Sequence, residues 1–161
     1  MKILAIDPGN TESAYVLMDE NYKPIEFGKV PNKQLLSYTY RCDYEKVVIE
    51  MVASYGMAVG KEVFETCVWI GRFHERAQQD IDSREVKYIY RKDVKLNLCG
   101  QTRAKDANIR QALIDRFGIV GTKKNPGWFY GFKSDIWSAY AVGVTYYDSK
   151  KITEGGSYDK H

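Results

Sequence analysis

The chain has 161 residues, of which 44% are hydrophobic and 28% charged, with a net charge of +3. This length and balance predict one globular domain with a sizeable core. No apolar stretch approaches membrane-spanning length, and the N-terminus lacks the layout of a signal peptide, so we expect no membrane association and a cytoplasmic location.

The cysteine and histidine content argues against two common kinds of site. The three cysteines, Cys42, Cys67 and Cys99, are odd in number and widely spaced, and only His74 and His161 could join them. Neither a zinc site nor a disulfide framework is therefore supported.

Positive charge is concentrated in one segment, from Lys87 to Lys124. That segment holds ten Lys and Arg against three Asp, a balance of +7, so the rest of the chain is acidic overall. The asymmetry favours a polyanionic partner for the basic half, although a solvated helix face explains charge alone equally well.

The first half of the chain predicts four strands and a short helix. The strands are expected over residues 2–7, 13–18, 24–30 and 47–50, and the helix opens at Pro31-Asn32. Short turns between the first three strands predict antiparallel pairing. The helix before the fourth strand predicts that this strand runs parallel to the first.

The second half predicts four helices and one strand. The helices are expected over 61–82, 91–98, 104–117 and 134–148, and the strand over 86–90. Gly100 and Gly118 end the second and third of these helices, and Ser134 is the expected N-cap of the last. We expect residues 1–150 to form a single domain and residues 151–161 to form a disordered tail.

Two of the predicted strands end on a carboxylate, at Asp7 and Glu50. Each acid closes an unbroken Val, Ile and Leu run, which is typical of parallel strands covered on both faces. An acid in that position is costly to desolvate unless positive charge compensates it. Ligands bind at the carboxyl ends of the central strands in open α/β sheets, and two acids there suit a hard divalent cation such as Mg²⁺.

A third acid, Asp135, falls in the expected first turn of the last helix. A carboxylate there interacts favourably with free N–H groups and the helix dipole, so taken alone it reads as a capping charge. Its place in chain order after the other two acids favours a shared site.

Four short segments follow one another in a recognisable order. They are Ile6-Asp7-Pro8-Gly9, Val48-Ile49-Glu50, Val94-Lys95 through Gly100 with Ala104-Lys105-Asp106, and Asp135-Ile136-Trp137-Ser138-Ala139-Tyr140-Ala141. In that order they resemble the RuvC-type Holliday junction resolvases of the ribonuclease H-like nuclease superfamily, particularly phage-encoded relatives. The match spans most of residues 1–147.

The resemblance implies an α/β, ribonuclease H-like fold, with three antiparallel strands followed by two parallel strands in one sheet flanked by helices. It implies a metal-dependent endodeoxyribonuclease that nicks branched DNA, above all four-way Holliday junctions, by hydrolysing phosphodiester bonds. Asp7, Glu50 and Asp135 would be both catalytic residues and metal ligands. They would hold two Mg²⁺ ions, for which Mn²⁺ can substitute.

One departure from the family pattern concerns Ser138. The family helix carries a second acid at this position, three residues after the first. A serine hydroxyl can hold a metal-bound water, but it supplies no charge. Either three carboxylates suffice, or Asp106 or Glu12 substitutes, or catalysis is weak.

The basic half and the loop after Glu50 supply the expected DNA contacts. The candidates are Tyr55, Lys95, Arg103, Lys105, Arg110, Lys123 and Lys124. The cations would neutralise phosphates, and Tyr55 would stack on an opened junction base, unless it packs over the end of the sheet. Lys105 matches a DNA-contacting lysine of the family, although it also reads as an ordinary exposed helix lysine.

A four-way junction is two-fold symmetric and needs two matched nicks, so a homodimer is the expected assembly. If the chain is phage-encoded, it would act in the host cytoplasm.

Two alternatives stay open: another ribonuclease H-like nuclease acting on forks, flaps or structured RNA, and a catalytically weak junction-binding protein.

Overall fold

A computed structural model describes residues 1–41, 43–79 and 84–156. In chain order its elements are β1 (Lys2–Asp7), β2 (Glu12–Asp19), β3 (Pro24–Pro31), α1 (Asn32–Arg41), β4 (Lys46–Met51), α2 (Lys61–Gln78), β5 (Glu85–Tyr90), α3 (Arg91–Cys99), α4 (Asp106–Phe117) and α5 (Ile136–Gly155). Within these ranges no helix combines the length and hydropathy needed to cross a membrane.

The five strands form one mixed sheet in the order β3-β2-β1-β4-β5. The first three strands pair antiparallel, whereas β4 pairs parallel to both β1 and β5. The predicted sheet is therefore confirmed. Because Ile6 lies opposite Ile49 in the parallel register, the next residues along the two strands, Asp7 and Glu50, lie at the same edge.

Helices cover both faces of the central strands. On one face, Ile3 and Val48 share a buried cluster with Tyr140 of α5. On the other face, Ile6 belongs to a buried cluster that includes Phe73 of α2. This two-sided cover explains why β1 and β4 are unbroken apolar runs, and it leaves their carboxyl ends as the place where polar side chains emerge.

The start of α5 differs from the prediction. Ser134 is not the N-cap, because it adopts a left-handed backbone conformation with φ of 50°, and α5 begins at Ile136. Asp135 takes the N-cap position, but its side chain makes no capping hydrogen bond. Its carboxylate accepts a hydrogen bond from Lys29 instead, so a tertiary ion pair replaces the local cap.

Two helix ends also differ from the prediction. α2 ends at Gln78, before the expected residue 82, and residues 80–83 lie outside the described part of the chain. α5 continues to Gly155 rather than stopping at residue 148, so residues 151–155 of the expected tail are helical. Gly156 is the C-cap of this helix, and residues 157–161 lie outside the described residues. The assignment of residues 1–150 to one domain stays a prediction.

Gly143 allows α5 to approach the sheet closely. A Cβ atom at this position would collide with the Met18 sulfur and lie 3.2 Å from the Ala5 Cβ atom. We therefore expect Gly143→Ala to lower the free energy of unfolding by about 1–3 kcal/mol, because overpacking displaces core side chains.

The matched control is Gly71→Ala in α2, where an added Cβ atom has no neighbour within 4 Å. This change should stabilise the helix by up to about 1 kcal/mol. Urea unfolding of both variants measures the difference. Equal effects of the two changes would show that α5 does not pack on the sheet as described.

Candidate active site

The turn after β1 fixes the position of Asp7. The Gly9 amide donates to the Ser13 hydroxyl at 3.1 Å, and that hydroxyl donates to Asn32 at 2.6 Å. The Asn32 side-chain amide donates a hydrogen bond to the Gly9 carbonyl oxygen at 2.9 Å, which closes the network. A Cβ atom on Gly9 would collide with the Glu12 carbonyl oxygen, so the turn requires glycine. Asp7 therefore leaves the sheet on a rigid backbone.

Asp7 and Glu50 lie together in a cleft of about 230 Å³ at the carboxyl ends of β1 and β4. The Glu50 side chain is only 15% exposed. Tyr55, Val63 and Arg91 contribute further walls. The structure thus brings together the two acids that the sequence placed at neighbouring strand ends.

Burial raises the pKa of both acids. The pKa of Asp7 rises from 3.8 to about 8, first through desolvation and then through the charges of Glu50 and Asp135. Desolvation also raises the pKa of Glu50, although the Arg91 cation opposes the shift and a hydrogen bond with Asp7 lowers it. The Asp7 carboxyl therefore holds a proton at neutral pH, and the pair carries less charge than two free carboxylates.

Asp135 is held at the rim of the site by Lys29. The Lys29 Nζ atom, on β3, lies 2.7 Å from the Asp135 carboxylate. The hydrogen bond with Asp135 raises the pKa of Lys29. Asp135 is nevertheless close enough for its charge to raise the pKa of Asp7 and of Glu50.

Arg91 is the cation nearest to Glu50. Its Nη1 atom lies 3.8 Å from the Glu50 Oε2 atom, and its Nη2 atom pairs with Asp106. The distance to Glu50 is too long for a hydrogen bond. Glu50 Oε2 is buried and has no hydrogen-bond partner, so one oxygen of this acid stays unsatisfied.

The acids do not form a ready metal-binding group. Across residues 1–41, 43–79 and 84–156, no three Asp, Glu, His or Cys side chains are arranged to hold a metal ion. Two of the acids are instead paired with cations, Asp135 with Lys29 and Glu50 with Arg91. The pair Asp7 and Glu50 still fits a hard cation. The buried Oε2 atom of Glu50 has no hydrogen-bond partner, and burial makes the negative charge of Asp7 costly, so a bound cation would stabilise both carboxylates.

The three auxiliary candidates differ in how near they are to the acids. Asp106 pairs with Arg91, and its charge contributes to the raised pKa of Glu50. Ser138 is half-buried in the first turn of α5. Glu12 is exposed, and its charge acts on Lys29. Asp106 is thus the one whose charge reaches Glu50.

Tyr55 stands between the acids and a second cleft. It is 65% exposed and adopts a left-handed conformation with φ of 49°. The second cleft, of about 430 Å³, is lined by Tyr55, Arg91, Lys92, Lys95 and Thr102. We call it the cationic cleft. Tyr55 is exposed rather than packed over the sheet, and it shares this cleft with the predicted DNA contact Lys95.

The other predicted DNA contacts lie outside the lining of the cationic cleft. Arg103, Lys105, Lys123 and Lys124 are exposed on loops before and after α4. Arg110 is also exposed, and its guanidinium lies over the Trp137 ring, 4.8 Å from the centroid.

Sequence reasoning missed Lys29, Arg91 and Lys92 as members of the site. Arg91 directly follows β5, the parallel neighbour of β4, so a cation at a third strand end was a usable signal. Lys29 gave no such signal, because its pairing with Asp135 joins residues 106 positions apart.

Two solved structures superpose on almost the whole chain. A Thermus thermophilus RuvC structure covers 94% of this chain and 96% of its own, with a TM-score of 0.69 and 16% identity. T. thermophilus RuvC in complex with a Holliday junction substrate covers 95% and 96%, with a TM-score of 0.71 and 17% identity. No family model and no curated protein matches the sequence.

This chain has a RuvC-like fold. The likeness at 16–17% identity rests on backbone geometry rather than on sequence. In the RuvC-like sheet of this chain, the parallel pairing of β1 with β4 is what places Asp7 beside Glu50.

The raised pKa of Asp7 predicts a pH-dependent stability in metal-free buffer. The folded protein keeps this proton up to about pH 8, whereas the unfolded chain loses it near pH 4. The free energy of unfolding should therefore fall as pH rises from about 4 to 8 and change little above that range. Asp7→Asn should reduce this slope, although the raised pKa of Glu50 keeps part of it, and the variant should be more stable than the parent at pH 9.

Urea unfolding at pH 5 and pH 9 in EDTA measures this effect. Glu85→Gln is the control of opposite sign, because Lys46 and Lys87 lower the pKa of the Glu85 carboxyl to about 2. That variant should be less stable than the parent at pH 9. An Asp7→Asn variant that keeps the slope of the parent would contradict the assignment of the proton to Asp7.

Proposed function

We propose that the protein is a metal-dependent endonuclease that nicks branched DNA and resolves four-way junctions. The observation that carries this proposal is a buried pair of acids, Asp7 and Glu50, that opens next to the cationic cleft. Such a pair is suited to a divalent cation and the cleft to a phosphate backbone. The RuvC-like fold supports it, since T. thermophilus RuvC has been solved with a Holliday junction substrate.

Asp7 and Glu50 would be the inner cation ligands, and Asp135 would join them on leaving Lys29. These residues would hold two Mg²⁺ or Mn²⁺ ions per site, and the chemistry that such ions would supply is a lowered pKa of water and stabilisation of the departing oxygen of the phosphodiester. Asp7 must lose its proton to become a ligand, because its pKa of about 8 keeps it neutral below that pH. The rigid turn at Gly9 keeps the carboxylate in place during this change.

DNA would approach across the cationic cleft. Lys95 would contact a phosphate there, and Tyr55 would stack on an opened base for about 1–3 kcal/mol. The exposed cations around α4 would follow the backbone farther from the acids. They are Arg103, Lys105, Arg110, Lys123 and Lys124.

A homodimer would place two such sites on one symmetric junction. An apolar surface on α2 supports this part of the proposal, because Phe64 is 61% exposed and Val68 is 62% exposed. Large apolar side chains exposed on one helix are typical of protein–protein contacts.

A second candidate is a junction-binding protein with weak or no catalysis. Three observations favour it: Asp135 is paired with Lys29, Glu50 faces Arg91, and Ser138 supplies no charge. Binding without nicking, with or without Mg²⁺, would decide for this candidate.

A nicking assay on a synthetic four-way junction with Mg²⁺ or Mn²⁺ tests the proposal. We expect the parent to nick the junction, and Asp7→Asn and Glu50→Gln to lower the rate on the order of 100-fold, because each removes a cation ligand. Ser138→Asp should raise the rate if the missing charge limits catalysis. Glu62→Gln, on the exposed first turn of α2, is the control and should act like the parent.

The same assay compares junction, fork, flap, duplex and structured RNA at one salt concentration, because affinity for any of them depends on salt. Preference for the junction supports resolution of four-way DNA. Preference for another substrate would assign the site to a different nuclease of this fold. Unchanged nicking by Asp7→Asn would contradict the proposed site altogether.

A further inference from the structure

We propose that Arg91 is an exchangeable phosphate ligand, which neutralises Glu50 in the resting protein and turns to a DNA phosphate when a cation enters the acid cleft. This inference rests on the proposed function and adds a specific role that none of the sequence motifs contains.

Arg91 belongs to both clefts. It lines the acid cleft with Asp7 and Glu50, and it lines the cationic cleft with Lys92 and Lys95. As the first residue of α3 it is anchored at its backbone, and its side chain is 23% exposed. A modest rotation of the guanidinium would therefore transfer it from one cleft to the other.

The contacts that hold Arg91 in the resting protein are weak. The approach to Glu50 is 3.8 Å, which is an ion pair without a hydrogen bond. The other partner, Asp106, accepts a hydrogen bond from the Arg91 Nη2 atom, but it is 84% exposed, and an ion pair with a solvated carboxylate contributes little. Arg91 faces Glu50 through the charge of a buried acid whose Oε2 atom has no hydrogen-bond partner.

A divalent cation would remove that reason. Once Glu50 is neutralised by the cation, the guanidinium gains nothing from facing it and is repelled by the new positive charge. Among the described residues, the lining of the cationic cleft contains no Asp or Glu, so a phosphate there is the best partner for Arg91. An arginine suits this role because its planar fork binds a phosphate through two hydrogen bonds.

This exchange predicts that cation binding and DNA binding help each other through Arg91. We would measure the dissociation constant of a four-way junction in EDTA and in Ca²⁺, over a range of salt concentrations, for the parent and Arg91→Gln. In the parent, Ca²⁺ should steepen the slope of log affinity against log salt by about 1, the value of one added phosphate contact. In Arg91→Gln, Ca²⁺ should no longer steepen this slope. The factor by which Ca²⁺ increases the affinity for the junction should be at least threefold smaller than in the parent.

Lys92→Gln is the matched control, since it removes one charge from the same cleft without touching Glu50. Lys92→Gln should weaken junction binding by the same factor in EDTA and in Ca²⁺. Ca²⁺ should still steepen the salt dependence of its affinity, as in the parent. Arg91→Lys preserves the charge and the fold but lacks the planar guanidinium that makes two hydrogen bonds to a phosphate. Its junction affinity should therefore increase much less with Ca²⁺ than that of the parent. Calorimetric titration with Ca²⁺ alone should show tighter binding to Arg91→Gln than to the parent, because a competing cation is gone.

Two results would overturn the role of Arg91. One is that Arg91→Gln weakens junction binding by the same factor in EDTA and in Ca²⁺. The other is that Ca²⁺ steepens the salt dependence of junction affinity in Arg91→Gln as much as in the parent. Failure of the proposed function looks different. A parent that never nicks any nucleic acid with Mg²⁺ or Mn²⁺ would refute catalysis, while the coupling through Arg91 could still be present. If the parent nicks junctions but Arg91→Gln shows the same coupling between Ca²⁺ and DNA binding as the parent, only the role of Arg91 is refuted.

Discussion

The parallel pairing of β1 with β4 places two carboxyl groups, Asp7 and Glu50, side by side where the sheet meets solvent. Helices on both faces exclude water from the strands up to this edge, so both groups are largely desolvated. Two carboxylates in such a place repel each other and lose hydration. The architecture of the site follows from how the chain compensates this cost.

The resting protein compensates it in three ways. Asp7 keeps a proton, Arg91 faces Glu50, and Lys29 pairs with Asp135. Each arrangement is reversible, because a proton can leave and the two side chains can turn to other anions. The proposed cations would take over all three roles, which is consistent with the described residues holding no preformed group of three ligands while the acid pair suits divalent ions.

Much of this could be read from the sequence. The apolar runs ending in Asp7 and Glu50 predicted the sheet and the meeting of two acids, because backbone pairing is dictated by local pattern and strand direction. The prediction of Ser134 as the N-cap was wrong, because Ser134 adopts a left-handed conformation and α5 begins at Ile136. Asp135, which takes the N-cap position, is hydrogen-bonded to the distant Lys29 instead of capping the helix. Contacts of this kind depend on three-dimensional proximity and leave no periodic signal.

If the acid pair, in which Asp7 is protonated, binds a cation, then cation binding must release the proton of Asp7. Calorimetric titration of Mn²⁺ at pH 7, in buffers with different ionisation enthalpies, counts the protons released. Because the pKa of Asp7 is about 8, we predict release of about one proton per site at pH 7, little release at pH 9.5, and loss of both binding and release in Asp7→Asn. Absence of Mn²⁺ binding, or binding at pH 7 without proton release, would contradict the account.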